Sequence, residues 1–533
     1  MRDTCTTFSK SWNDAVAAHS ASTFLIFEDS SGECLQWSYA EFDTVCRGIE
    51  FILKQSGVRR GSAVHIVLRN CPAFVALWIA ISRLGATAVF ADPGLKARDL
   101  ASQIRRTNPV LAVCGRQAFA EYQQAMAHAR ISGADVSPSH PVIAADEDSA
   151  DILPGGGLYG TNAEGVGPLP DSPQPHDRLA VMFTSGTTSE PKGVVLTQCN
   201  YAHVGRAMAQ AAGLMSKHRW LVTLPLFHAN AQYYCFAPAI AVGASVALTS
   251  RFSASAWPHQ AQRHGATHAS LFAAPIRMIL ARRRLDAPKL ELTHVWFAQS
   301  LGRNQFNEFG ELVGTVPRQL YGMTETIAVV CAEGPDAPQP DRIGDPRKMR
   351  RVVRIAEPET NRQVLPGDPG MILVQGRPGC DLFQEYLSNP AASAAALVDL
   401  DGQTWLRTGD LARTDQTGRL RFVGRVDDVI KVSGENVSLT ELEASLAQVP
   451  GVLEVAVVPR PDPIRDVIPV AYVVPRDSAA PPSTVDLTRW ANENLPPQAR
   501  PRDWHIIDEL PRTSVGKIRR SRLIEDLENP YCS

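Results

Sequence analysis

Between residues 38 and 93 the sequence alternates between two apolar periods, and that alternation limits the possible fold more than any other feature of the chain. Phe42, Cys46, Ile49 and Leu53 recur at helical spacing, whereas Val64-His65-Ile66-Val67-Leu68 is a short β-rich run. Helices and strands that alternate in this way bury their apolar sides by stacking helices on a sheet, so an α/β layer fold is expected. The pattern resumes downstream. Residues 179–183, 220–225 and 245–248 read as strands, and 261–265 and 277–284 read as helical stretches between strands. Short strands joined by Gly, Pro and Asp turns from 351 to 422 suggest a smaller β-rich subdomain. A compact C-terminal α/β unit follows, with a helix at 440–448 and strands at 452–458 and 467–474. Residues 138–175, rich in Gly, Pro, Asp and Ser, read as an irregular surface excursion.

At 533 residues the chain exceeds what one hydrophobic core supports, so several domains are expected. The expected division is an N-terminal core at 1–425, with its β-rich part at about 345–425, followed by a small C-terminal domain at 426–533. A formal net charge of -2 gives no global field favouring nucleic acid or an anionic membrane. The ten cysteines are scattered singly, without a CxxC pair, so neither a disulfide framework nor a zinc site is suggested and a cytoplasmic location fits. The N-terminus lacks the basic and apolar regions of an export signal. The most apolar stretch, 73–90, is interrupted by Arg83 and Gly85 and reads as a buried helix followed by a strand, so no membrane insertion is expected.

Chemistry first shows at 183–194. Thr184, Ser185, Gly186, Thr187 and Thr188, with Lys192 shortly after, follow an apolar strand. Glycine permits close backbone approach, hydroxyls and amides donate hydrogen bonds, and a lysine adds a mobile positive charge, which together suit a polyphosphate. The spacing differs from GxxxxGK[ST], which disfavours a P-loop NTPase. Taken alone, the segment could also be a Ser/Thr-rich surface loop.

This loop resembles the TSGTTGxPKG element of the adenylate-forming superfamily, which includes acyl-CoA synthetases, luciferases and the adenylation domains of peptide synthetases. Here Ser189 stands in place of a glycine. The resemblance continues along almost the whole chain. Tyr321-Gly322-Met323-Thr324-Glu325 matches a YGxTE element, implying that Tyr321 lies against adenine, Thr324 contacts phosphate and Glu325 helps bind magnesium. Thr408-Gly409-Asp410 matches an element whose aspartate accepts hydrogen bonds from the ribose hydroxyls. Without the other motifs, these two segments would read as a capped turn and a Gly-Asp β-turn.

The stretch 424–436 is similar to the family's GRxDDxIKxxG signature. By that resemblance Arg425 reaches ribose or phosphate, Asp427 is the hinge, Lys431 serves thioester formation and Gly434 lies beside the pantetheine arm. Arg512-Thr513-Ser514-Val515-Gly516-Lys517 matches the element carrying the lysine used in adenylate formation. A cation there would offset the negative charge that gathers as a carboxylate attacks the α-phosphate.

Residues 224–230 resemble the segment lining the acyl channel, which makes His228 a gating residue and places Asn230 in the pocket. The resemblance adds Ala298, Gln299, Ser300 and Gly322 to that pocket, with Gln299 and Ser300 making the wall bulkier and more polar than a Gly-Gly-Ala-Pro-like strand end. Residues 434–438 and 463–474 resemble bacterial synthetases related to crotonobetaine/carnitine:CoA ligases. The implied reaction joins a carboxylic acid to CoA through an acyl-AMP, with ATP and magnesium. Loading of an acyl carrier protein is the alternative. The implied fold is a multi-subdomain α/β N-terminal domain, two α/β layers with a small β-rich subdomain, followed by a small mobile C-terminal α/β domain.

Overall fold

The helix Pro72–Arg83 begins with a proline in its first turn and has every residue up to Ser82 buried. A helix apolar on all sides must be covered on all sides. Phe8 stacks on Trp78 from this helix with ring centroids 4.7 Å apart, and Tyr201 meets the same indole at 5.3 Å, so helices from two other parts of the chain pack against it. The strand Thr87–Phe90 follows, as the sequence pattern predicts.

The computed structural model describes residues 5–131, 140–147, 172–184, 191–284, 286–334, 338–339, 342–432, 435–462, 466–512 and 518–528. A seven-stranded sheet has its centre in the strands Arg178–Thr184, Thr87–Phe90, Ala63–Val67 and Leu111–Gly115, joined in parallel, with Lys192–Thr197 antiparallel beside the first. Their nearly continuous burial is that of strands covered on both faces. The edge strand Val142–Ala145 lies within the span expected to be irregular, and corrects that reading. Its four residues pair in parallel with Leu111–Gly115.

An eight-stranded sheet contains the parallel strands Arg219–Val222, Ser245–Thr249, His268–Phe272, His294–Ala298 and Arg318–Tyr321. The helix expected to run to residue 284 ends at Ala281. Beyond these layers, Val353–Ala356, Gly370–Gln375, Leu397–Leu400, Gln403–Thr414 and Leu420–Arg425 form an antiparallel β-rich unit.

The chain leaves that unit through the one-turn helix Val426–Asp428 and enters another sheet at Val429–Val432. In this last sheet Val452–Asp462 and Asp466–Pro475 pair antiparallel, and the helix Leu439–Leu446 packs its leucines into the small core. The molecule is therefore a large α/β N-terminal part followed by a smaller C-terminal α/β part. Among the described residues no helix is long and apolar enough to cross a membrane.

Contrary to the expectation from cysteine spacing, Cys5 and Cys199 are joined in a disulfide. A separation of 194 residues leaves no local spacing from which to read the pair.

Candidate active site

Asp410 lies in the strand Gln403–Thr414, directly across from Arg425 at the end of the next strand. The Gly-Asp pair is therefore part of a ladder rather than an isolated turn. Gly409 has φ 74°, and a Cβ there would stand 3.2 Å from a guanidinium nitrogen of Arg425, so glycine lets the cation approach. Tyr321 ends the strand Arg318–Tyr321, and its hydroxyl donates to Asp410 Oδ2 at 2.7 Å. Arg425 Nε stands 3.7 Å from Asp410 Oδ1. Asp410 is 7% exposed and Tyr321 9%. Burial, with the neighbouring Asp410 charge, pushes the Tyr321 phenol well above its ordinary pKa, keeping it a donor. Burial opposes the Arg425 charge, but Asp410 and Asp428 outweigh it and raise its pKa.

Glu325 sits in the one-turn helix Thr324–Thr326 and is 5% exposed. Its Oε1 accepts from the Tyr386 hydroxyl at 2.9 Å. The same tyrosine ring lies beneath Lys192 Nζ at 5.1 Å from its centroid. Thr184 and Lys192 are register partners across the hairpin, and the Thr184 hydroxyl donates to the Lys192 carbonyl at 3.4 Å. The ends of the candidate phosphate loop are thereby clamped together. Ser185, Gly186, Thr187, Thr188 and Ser189 lie outside the described residues. The carboxylate of Glu325 supplies oxygen donors of the kind that suit a hard divalent cation.

On the prospective acyl side, Gly322 admits the Tyr234 hydroxyl, which would stand 2.9 Å from a Cβ at that position. Asn230 opens the π-helix Asn230–Phe236, an uncommon element that recurs at functional sites. Its amide is buried, and neither polar atom has a hydrogen-bond partner among the described residues. The His228 ring lies 4.7 Å from Phe227. Ala298 ends its strand, Gln299 follows with φ 74°, and the carbonyls of Gln299 and Ser300 accept from Gln319 and Arg277 at 3.2 Å each. A positive φ outside glycine marks a backbone held by its surroundings.

Asp427 lies in the turn of helix between the two sheets, and Lys431 is exposed on the first strand beyond it. Gly434 and Lys517 fall outside the described residues, although Arg512 and Ile518, on either side of residues 513–517, form a β-bridge. The two parts of the chain meet where Arg277 Nε reaches Glu454 Oε1 at 3.0 Å, and the same carboxylate accepts from Arg512.

Sequence reasoning missed Tyr386, Arg106 and Glu454. Arg106 donates to the Pro191 carbonyl at 2.6 Å and lies 5.0 Å over the Phe183 ring, bracing both ends of the phosphate loop. The arginine-rich end of its helix gave no local hint of that role.

Layered α/β sheets, a buried aspartate between a phenol and a guanidinium, and a hairpin closed between Thr184 and Lys192 together form the candidate site. The chain belongs to the AMP-binding enzyme family, which it matches over residues 12–387, with the AMP-binding enzyme C-terminal domain matched over 441–517. Within that family it is an acid-thiol ligase of the acyl-CoA synthetase class. It is 30% identical over 522 residues to the crotonobetaine/carnitine-CoA ligase of Salmonella arizonae, with 96% of this chain and 98% of the relative covered. The corresponding ligase of Escherichia coli O8 is 30% identical over 520 residues, with the same coverage. The fold matches the anthranilate CoA ligase AuaEII in complex with anthranoyl-AMP, with TM-score 0.84, 21% identity, and 98% and 97% of the two chains covered. ATP-bound MatB from Rhodopseudomonas palustris gives TM-score 0.82 at 21% identity, covering 98% of this chain and 99% of the other.

Proposed function

We propose that the protein condenses a carboxylic acid with CoA in two steps at this site. In the first, a carboxylate oxygen attacks the α-phosphorus of ATP, pyrophosphate leaves, and an acyl-AMP forms. In the second, the CoA thiolate attacks the acyl carbon and AMP leaves. The observation that carries this reading is Asp410, a buried carboxylate held by Tyr321 and Arg425. A carboxylate can accept from two vicinal hydroxyls at once, as a ribose requires.

In this reading Tyr321 lies along the adenine, while Thr184, Ser185, Gly186, Thr187, Thr188, Lys192 and Thr324 hold the phosphates. Glu325 would hold a magnesium ion, which supplies charge compensation on the phosphates when bound. Lys517 faces the α-phosphate in the first step. For the second step the C-terminal unit at 426–533 turns about Asp427, bringing Lys431 and Gly434 to the pantetheine arm and His228 out of its path. This motion is supported by the change of sheet across Val426–Asp428. Asn230, Ala298, Gln299, Ser300 and Gly322 line the acyl pocket.

The reading is tested by pyrophosphate release across a panel of carboxylic acids, with and without CoA. Acid-dependent release and formation of the matching acyl-CoA are expected. Lys517→Ala should abolish acyl-AMP formation yet largely spare thioester formation from supplied acyl-AMP, and equal loss of both steps would reject the assigned roles. The crotonobetaine/carnitine-CoA ligases among its relatives favour CoA over a carrier protein as acceptor.

A further inference from the structure

Three cysteines remote in sequence meet where the N-terminal segment crosses the start of the helix Gln198–Ala212. Cys5 is bonded to Cys199, and the sulfur of Cys380 lies within 4.8 Å of both. Cys5 is exposed, whereas Cys199 and Cys380 are 1% and 6% exposed. The third sulfur is presented by a well-anchored loop. Thr197 donates to the Gly379 carbonyl at 2.7 Å, and Asn200 donates to the carbonyls of Cys380 and Leu382 at 2.7 and 2.8 Å. These bonds hold the loop against the turn of helix that carries Cys199. Arg377 Nη2 donates to Cys380 Sγ at 3.2 Å, placing a permanent cation beside the sulfur that would act as nucleophile.

We propose that Cys5, Cys199 and Cys380 form an internal thiol–disulfide exchange site. The Cys380 thiolate attacks Cys199 Sγ, a Cys199–Cys380 bond forms as the Cys5–Cys199 bond breaks, and the departing electron pair stays on Cys5 Sγ. One disulfide is consumed and one is formed, so no external oxidant or reductant is required. Cys5 is the suitable leaving group because its thiolate emerges into water and takes its proton there. The exchange moves the cross-link from the N-terminal segment to the loop at 377–383. That loop continues into Phe383, whose N–H donates to the Glu325 carbonyl at 2.9 Å, and on to Tyr386. A bond at Cys380 would therefore tie the Glu325 neighbourhood covalently to the helix start.

The test maps disulfides in the full-length protein, isolated without reductant, held at pH 8, quenched in acid and alkylated with maleimide in denaturant. Two linked peptides are expected, Cys5–Cys199 and Cys199–Cys380, with maleimide on Cys380 in the first population and on Cys5 in the second. C380S should lose the second link entirely, and C5S treated with glutathione disulfide should show only that link. A wild-type map containing Cys5–Cys199 alone overturns the proposal. So does a protein with three reduced thiols that stay unlinked under glutathione disulfide or retain stoichiometric zinc. Because the map is read on wild-type protein and needs no turnover, its outcome is independent of the proposed reaction.

Discussion

Tyr386 joins two groups that the chain supplies from opposite sides of the site: its hydroxyl donates to Glu325 Oε1 at 2.9 Å while its ring carries Lys192 Nζ at 5.1 Å. The phenol thus fixes the carboxylate expected to meet magnesium and the lysine at the foot of the phosphate loop. Burial, followed by the adjacent Glu325 charge, raises its pKa, so the hydroxyl remains a donor throughout the neutral range.

Tyr386→Phe retains the ring beneath Lys192 and removes one charge-assisted hydrogen bond from Glu325. A bond of that kind contributes about 1.5 kcal/mol, roughly a tenfold effect. Pyrophosphate release should therefore need severalfold more magnesium for half-maximal rate, with the saturated rate less affected. A magnesium titration of wild type and variant checks this, and superimposable curves would remove Tyr386 from the site.

Asp410→Asn leaves Arg425 without its cross-strand charge and replaces one carboxylate oxygen by a donor. The buried position makes that mismatch cost about 2 kcal/mol, roughly 30-fold. The loss should appear mainly in the KM for ATP during acid-dependent pyrophosphate release. Tyr321→Phe, which deletes only the donor to Asp410, should cause a smaller rise. An Asp410→Asn enzyme with unchanged ATP affinity would break the ribose assignment.

Much of this arrangement is legible in the sequence, because local pattern encodes it. The alternation at 38–93 became Tyr39–Gln55, Ala63–Val67, Pro72–Arg83 and Thr87–Phe90 in that order. Features whose partners are distant were hidden. Tyr386 is 61 residues from Glu325, and Cys5 is 194 from Cys199, so neither pair has a spacing to read. Val142–Ala145 was obscured because a four-residue edge strand gains its pairing only from Leu111–Gly115, and its flanks are rich in turn formers.

Glu454 links Arg277 of the large part to Arg512, which lies five residues before Lys517 in sequence. Removing its charge leaves two partly buried guanidiniums facing each other. Glu454→Gln should slow acyl-AMP formation about tenfold, equivalent to about 1.4 kcal/mol in the barrier. Thioester formation from supplied acyl-AMP should change less than about twofold if the contact belongs only to the adenylating arrangement. The two half-reactions measured separately decide the point, and equal slowing of both would assign Glu454 to general stability.

His65 sets an acid limit on the seven-stranded sheet. Its ring is fully buried, with Nδ1 2.9 Å from the Tyr122 hydroxyl and Nε2 3.1 Å from Gln103 Oε1. Gln103 Oε1 can only accept, so Nε2 carries the proton of a neutral ring and Nδ1 accepts from Tyr122. Burial pushes the His65 pKa down from the ordinary imidazole range to about 4. A lowered folded-state value means that the unfolded chain binds the proton first as pH falls. The stabilisation is therefore fully present above about pH 6.5 and is lost progressively down to about pH 4. By pH 5 the loss from this histidine is about 2 kcal/mol. Urea unfolding followed by tryptophan fluorescence should show a large drop in midpoint between pH 7 and pH 5. His65→Gln, which cannot titrate, should begin at a lower midpoint at pH 7 and fall less over the same interval. Parallel falls in the two proteins would assign the acid sensitivity to other groups, such as His268, whose burial also lowers its pKa to about 4.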